Sequence, residues 1–205
     1  MTLKHFTFVL ILSLSVQNAV SQGFKSELLA GIAASQVSGD QLSGFDKVGG
    51  LVGGGVKLST GNKTEVGFRM FYVQKGSRKP SNLSNGDPTL YLLRLNYIEM
   101  PLYFGYNFNK KWKAEAGLSL AYLFKSKEED ENGELFDTQP FEKIDLSMFG
   151  GITYAFNEKI GVQVHYWQSI LPIRSTASGE SFRLNAGQYN SAFTLNLIYS
   201  LSPKK

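Results

Sequence analysis

Six charged residues sit at alternate positions in runs that are otherwise apolar or small, and they carry most of the chemical potential of this chain. Arg69 and Lys113 are the cations, and Glu65, Glu99, Glu115 and Asp145 the carboxylates. Charges that share one face of a period-two run point the same way, and enclosed charge must be compensated by a partner. Two chemistries suit such a set: a path for ions or protons, or a structural network of ion pairs. Which one holds depends on the width of whatever encloses them.

Catalysis and metal binding are the other chemistries to weigh. Apart from His5 near the start, the chain has one histidine, His165. A nucleophile needs a base beside it and a carboxylate to orient that base; Ser147 and Asp145 are the only partners that can be sketched for His165, and a hydrogen-bonded interior histidine is the favoured reading. Glu128, Asp130, Asn132 and Gly133 follow the early spacing of a calcium loop. The pattern fails at position twelve, which is Gln139, and its flanks read as strands rather than helices. The sequence therefore predicts no catalytic residues, no metal site and no cofactor.

The elements that position these residues are strands. Segments 26–35, 48–59, 64–75, 89–108, 112–125, 144–156, 160–169 and 191–201 show period-two patterning. In 112–125, Trp112, Ala114, Ala116, Leu118, Leu120, Tyr122 and Phe124 share one face, and Lys113, Glu115, Gly117, Ser119 and Ala121 the other. In the fourth segment the bulky residues switch from odd to even numbers near Tyr97 and Ile98, which predicts a bulge there, beside Pro101. Short returns follow strands two, four and six. Long polar loops follow strands one, three, five and seven, the third of them an acidic loop over 126–143.

The fold class this predicts is all-β: an eight-stranded antiparallel up-and-down transmembrane β-barrel with short periplasmic turns and four long extracellular loops. Lipid is preferred to a soluble cup as the surroundings of the apolar face for three reasons. The mixed face is rich in glycine and scattered charge, aromatic residues gather at the strand ends, and the connections are asymmetric. Eight strands leave room for little more than their own side chains, so Arg69, Glu99, Lys113, Glu115 and Asp145 are read as a lumen network of ion pairs rather than an ion path.

Residues 1–21 read as a cleaved signal peptide, with Lys4 and His5 ahead of an apolar run and Ala19-Val20-Ser21 as the cleavage signal; residues 22–205 form the barrel domain. Removing one lysine with that segment turns 21 basic residues into 20 against 17 acidic, a charge of +3, too small an excess to predict a nucleic-acid partner. The absence of cysteine fits an exported chain that does without disulfides. The expected partner is outer-membrane lipid, and the expected state a monomer.

Several local words resemble the PorT-like outer-membrane β-barrel family of Bacteroidetes-type bacteria. They are Gly23-Phe24-Lys25, Ser38-Gly39-Asp40, Gln74-Lys75-Gly76 and above all Tyr97-Ile98-Glu99-Met100-Pro101-Leu102, in which Tyr97, Glu99, Pro101 and Leu102 carry the motif. The resemblance implies an integral outer-membrane location, a non-catalytic structural or interaction role, and envelope or export proteins as partners, with type IX secretion as the setting of the namesake. The rival functions are a narrow pore and a surface lipid-modifying enzyme.

Overall fold

Alternation of apolar and mixed residues can be satisfied only if one face of each strand turns away from the other, and a ring of strands does this without leaving an edge. The computed structural model describes residues 23–40, 42, 44–80, 89–135, 138–175 and 187–201. The segment read as a signal peptide lies outside them. The strands are β1 (Phe24–Ser38), β2 (Lys47–Ser59), β3 (Thr64–Lys79), β4 (Tyr91–Asn107), β5 (Trp112–Asp130), a two-residue β6 (Gly133–Glu134), β7 (Ile144–Ala155), β8 (Ile160–Ser169) and β9 (Tyr189–Ser200). All pairings are antiparallel between successive long strands, and β1 pairs with β9, so the eight long strands close into a barrel. β6 only extends the edge of β5.

Two of the short returns use the same device. Asn109 Oδ1 accepts the backbone N–H groups of Lys111 and Trp112 at 2.8 and 2.9 Å, and Asn157 Oδ1 accepts those of Lys159 and Ile160 at the same distances. An asparagine that ties its own backbone in this way fixes a tight turn locally.

The exterior is apolar in the band between the turns and the loops: Leu28, Val52, Phe68, Leu102, Leu118, Met148, Val164 and Leu197 are all exposed, Leu102 by 64%. Aromatic pairs line the turn end, with Tyr106 against Phe108 at 5.4 Å, Trp112 against Tyr154 at 4.9 Å and Tyr154 against Phe156 at 5.3 Å. Tyr72, Phe124, Tyr166 and Phe193 do the same at the loop end. Such girdles mark the two interfaces of a bilayer.

Three expectations from the sequence need correction. The bulge lies in β5, not β4: Asn96 faces Lys125 while Tyr97 faces Leu123, leaving Phe124 as the extra residue. β4 keeps one phase, with Leu93, Leu95, Tyr97, Glu99, Pro101 and Tyr103 all buried. The apparent switch arose because the interior itself changes from leucine to charge along the strand. Pro101, which has no N–H to give, sits where the β3–β4 register is interrupted between Phe68↔Leu102 and Phe71↔Glu99.

The segment 126–143 is not all loop, since β5 runs on to Asp130 and turns back through β6. Its charges pair across the sheet, Arg94 with Glu129 and Lys127 with Glu134, and along β5, Lys127 with Glu129, so a strand in water looks like a loop in sequence. β3 likewise passes Lys75 and ends at Lys79. Gly76 makes that possible with φ 143 and a backbone so close to β4 that a Cβ would stand 2.0 Å from the Leu93 carbonyl oxygen.

Inward glycines set how closely the strands and their contents pack. A Cβ on Gly151 would fall 2.0 Å from the Val164 carbonyl oxygen and 2.3 Å from the ring of His165. Gly151→Val is expected to lower the unfolding free energy by about 1–3 kcal/mol, read as a lower urea midpoint in detergent micelles. An unshifted midpoint would mean that β7 and β8 part there without cost.

Candidate functional site

The lumen holds three layers, ordered along the strands that build them. Nearest the turns is an ion-pair cluster. Arg69 on β3 donates from Nε to Glu27 at 2.6 Å and from Nη1 and Nη2 to Glu115 at 2.9 and 3.0 Å. Lys57 reaches Glu27 at 3.0 Å, and Lys113 reaches Glu65 at 2.6 Å and Glu115 at 2.5 Å. Gln163 donates to Glu115 at 2.6 Å and His165 Nε2 lies 3.1 Å from the same carboxylate. Tyr103 covers the guanidinium of Arg69, its ring centroid 4.0 Å from Cζ, and fits because Gly67 opposite has no side chain to meet the phenol. The lysines and arginine number three and the glutamates three, so the cluster balances its own charge.

Next along β3, β7 and β8 come Phe71, Phe149 and Trp167. Phe149 stacks on Trp167 at 4.2 Å and 19°, and Phe71 meets Trp167 edge-on at 5.8 Å. His165 closes the lower side of this layer, 5.2 Å from the Phe149 ring.

The third layer is a second polar cluster. Lys75 pairs with Glu99 at 2.8 Å and lies 5.6 and 5.7 Å from the Tyr97 and Trp167 ring centroids. Asn190 donates to Asp145 at 3.0 Å and to the Tyr97 hydroxyl at 3.1 Å, while Ser147 donates to Glu99 at 3.4 Å. Above it Leu93, Leu95, Leu123, Phe141 and Ile173 are buried together.

The five residues expected to share one network therefore divide. Arg69, Lys113 and Glu115 belong to the lower cluster; Glu99 and Asp145 belong to the upper one, across the aromatic layer. Three members escaped the sequence reading: Glu27, Lys57 and Lys75. Glu27 was open to discovery, since it shares a face with Leu29, Ala33 and Ser35. Of the motif residues, Tyr97, Glu99 and Pro101 point inward and Leu102 outward. His165 and Ser147 are not brought together: His165 faces Gly151 in the β7–β8 register, four residues or about 13 Å along the strand from Ser147.

The loop end carries one further arrangement, above the apolar band. Arg174 donates to Glu128 Oε2 at 2.7 Å, Tyr91 donates to Glu128 Oε1 at 2.5 Å, and the guanidinium of Arg174 lies 3.7 Å from the Phe141 ring centroid. Burial alone would raise the Glu128 carboxyl, but the hydrogen bonds from Arg174 and Tyr91 outweigh it and hold the group below its ordinary 4.5. A carboxyl lowered on folding contributes stability that is complete above its unfolded value and lost as pH falls through the folded one. The stability difference between wild type and Glu128→Gln is thus expected to stay constant from pH 7 to about 5 and to shrink in stronger acid. A difference that widens on acidification would reverse the sign.

A closed ring of eight strands, an apolar belt between aromatic girdles and a charged interior define a class of membrane protein, and the sequence profile described as outer membrane protein beta-barrel domain matches residues 13–174. The chain belongs to that family. Among solved structures, this outer-membrane barrel is similar to Neisserial surface protein A, at 12% identity over 86% of this chain and 98% of that one, with a TM-score of 0.58. It is also similar to Ail, the attachment invasion locus protein of Yersinia pestis, solved with the heparin analogue sucrose octasulfate, at 13% identity over 87% and 99% of the two chains and a TM-score of 0.51. At such identities the likeness is one of fold. No curated protein sequence matches the chain. Family and fold together make the protein an integral component of the bacterial outer membrane.

Proposed function

We propose that this outer-membrane barrel is a sealed, non-catalytic structural and interaction protein, acting through the surface it presents outside the cell rather than through its lumen. The observation that supports this reading most directly is the stacked Phe149 and Trp167 with Phe71, packed between two buried ion-pair clusters. An ion crossing the lumen would have to part rings in van der Waals contact and break charge-assisted hydrogen bonds on both sides of them. The rival reading, a narrow pore, needs a continuous wet path along the same axis. Planar bilayers containing the purified protein are expected to stay silent; steady channel openings would refute the sealed barrel.

The surface offered to partners is the part of β3, β4 and β5 that rises beyond the apolar band, with its cross-strand ladder of Tyr72, Gln74, Asn96, Arg94 and Glu129. The PorT-like words in β4 favour envelope or export proteins as those partners, in an assembly that this barrel would join as one copy. Co-purification from detergent-solubilised outer membranes tests the assignment: export components retained by wild type and lost from a variant carrying Arg94→Ala and Glu129→Ala support it, and recovery of the barrel alone counts against it. For the enzymatic rival, His165→Ala should leave any measured lipid hydrolysis unchanged.

A further inference from the structure

The turn end of the barrel is basic on its outer rim. Among the described residues, Lys25, Lys63, Lys110, Lys111 and Lys159 are all exposed there, against one exposed carboxylate, Glu158. None of the five forms an ion pair within the described residues. At the loop end Arg94, Lys127 and Arg174 are engaged by Glu129, Glu134 and Glu128, and the exposed Arg78, Lys125 and Lys143 stand among the exposed carboxylates Asp46, Glu131, Glu134 and Glu142. Inside the turn end, too, Lys57 and Lys113 are committed to Glu27, Glu65 and Glu115. Among the described residues, exposed charge is therefore one-sided at the turn end and mixed at the loop end.

That rim lies just beyond the aromatic girdle. Phe108 and Trp112 flank the turn that bears Lys110 and Lys111, and Phe156 and Ile160 flank the one that bears Lys159; all four of these apolar residues are exposed. Girdle rings sit at headgroup depth, and a lysine stem can lie along apolar surface while its ammonium reaches the phosphate level. We propose that the periplasmic rim of the barrel is a binding surface for the headgroups of anionic phospholipids in the inner leaflet, with Lys63, Lys110, Lys111 and Lys159 as the phosphate contacts. Each lysine beside an anionic surface is worth roughly a five-fold preference before screening. The surface would anchor the barrel at a fixed depth and gather anionic lipid around its turns. This goes beyond the sealed-lumen reading and does not depend on it.

The test uses the intact barrel in nanodiscs assembled from phosphatidylethanolamine with a minor fraction of phosphatidylglycerol. Lipid retained after delipidation with mild detergent is quantified by mass spectrometry, beside heat-modifiable gel mobility to confirm folding. Wild type is expected to hold phosphatidylglycerol several-fold above its input fraction at low salt, with the enrichment falling as salt rises. The variant K63Q/K110Q/K111Q/K159Q is expected to return to the input ratio, and K125Q/K143Q at the opposite rim to behave as wild type. Absence of enrichment in wild type, equal enrichment in the four-lysine variant, or loss of it in the K125Q/K143Q control would overturn the proposal. Channel recordings on the same samples keep its failure separate from failure of the sealed lumen.

Discussion

Replacing Arg69 by alanine is expected to destabilise the barrel by about 3–5 kcal/mol, the usual cost of removing one partner from a buried ion pair. Arg69 is 2% exposed and spans Glu27 and Glu115 at once. Its loss leaves two carboxylates in a closed lumen with Lys57 and Lys113 as their remaining cations, and Tyr103 without the guanidinium it covers. Arg69→Lys should recover only part of the loss, because an ammonium cannot reproduce a fork that grips two Glu115 oxygens. Reversible urea unfolding in detergent, followed by tryptophan emission, measures both variants. A change under 1 kcal/mol for Arg69→Ala would show that water enters the cluster and shares its charge.

Trp167→Ala is expected to cost a similar amount, about 3–5 kcal/mol for a large buried aromatic, and to differ from Arg69→Ala in a second readout. Trp167 touches Phe71, Phe149 and His165, donates from Nε1 to Thr194 at 3.0 Å and lies beneath Lys75. Truncating it leaves a gap in the apolar layer that separates the two charged clusters. Combined with Phe71→Ala, it should let ions leak through a lumen that is silent in wild type. Conductance of the double variant equal to that of wild type would shift the seal from the aromatic layer to the apolar cap around Leu93, Leu95 and Leu123.

The turn-end half of the molecule was legible because one rule governs it. In β8, Ile160, Val164 and Tyr166 face out and Gln163, His165 and Trp167 face in, as alternation alone requires. Closure, the short returns and the lipid-facing band follow from the same pattern. What alternation cannot give is height within a tilted ring. Glu99 and Arg69 both point inward, but the stagger of β3 against β4 sets Glu99 opposite Phe71, and Lys75, four residues further along β3, claims it. Glu27 and Arg69 are 42 residues apart and meet only because β1, β2 and β3 lie side by side around the wall. The water-side part of β5 looks like loop in the sequence for a different reason. There the residues are charged on both faces, so strand and solvated loop have the same composition, and only cross-strand pairs such as Arg94 with Glu129 tell them apart.

The central claim is that alternate residues of one strand see two dry environments, acyl chains outside and a packed lumen inside. The chain has no cysteine, so single cysteines can be placed along β5 at Leu118, Ser119, Leu120 and Ala121 and spin-labelled in the barrel reconstituted into liposomes. Collisions with oxygen, which partitions into lipid, and with a water-soluble nickel chelate then report each position. Labels at 118 and 120 should relax with oxygen alone, and labels at 119 and 121 with neither reagent. Nickel access at 119 or 121 would mean an open channel, and nickel access at 118 or 120 would take the barrel out of the membrane.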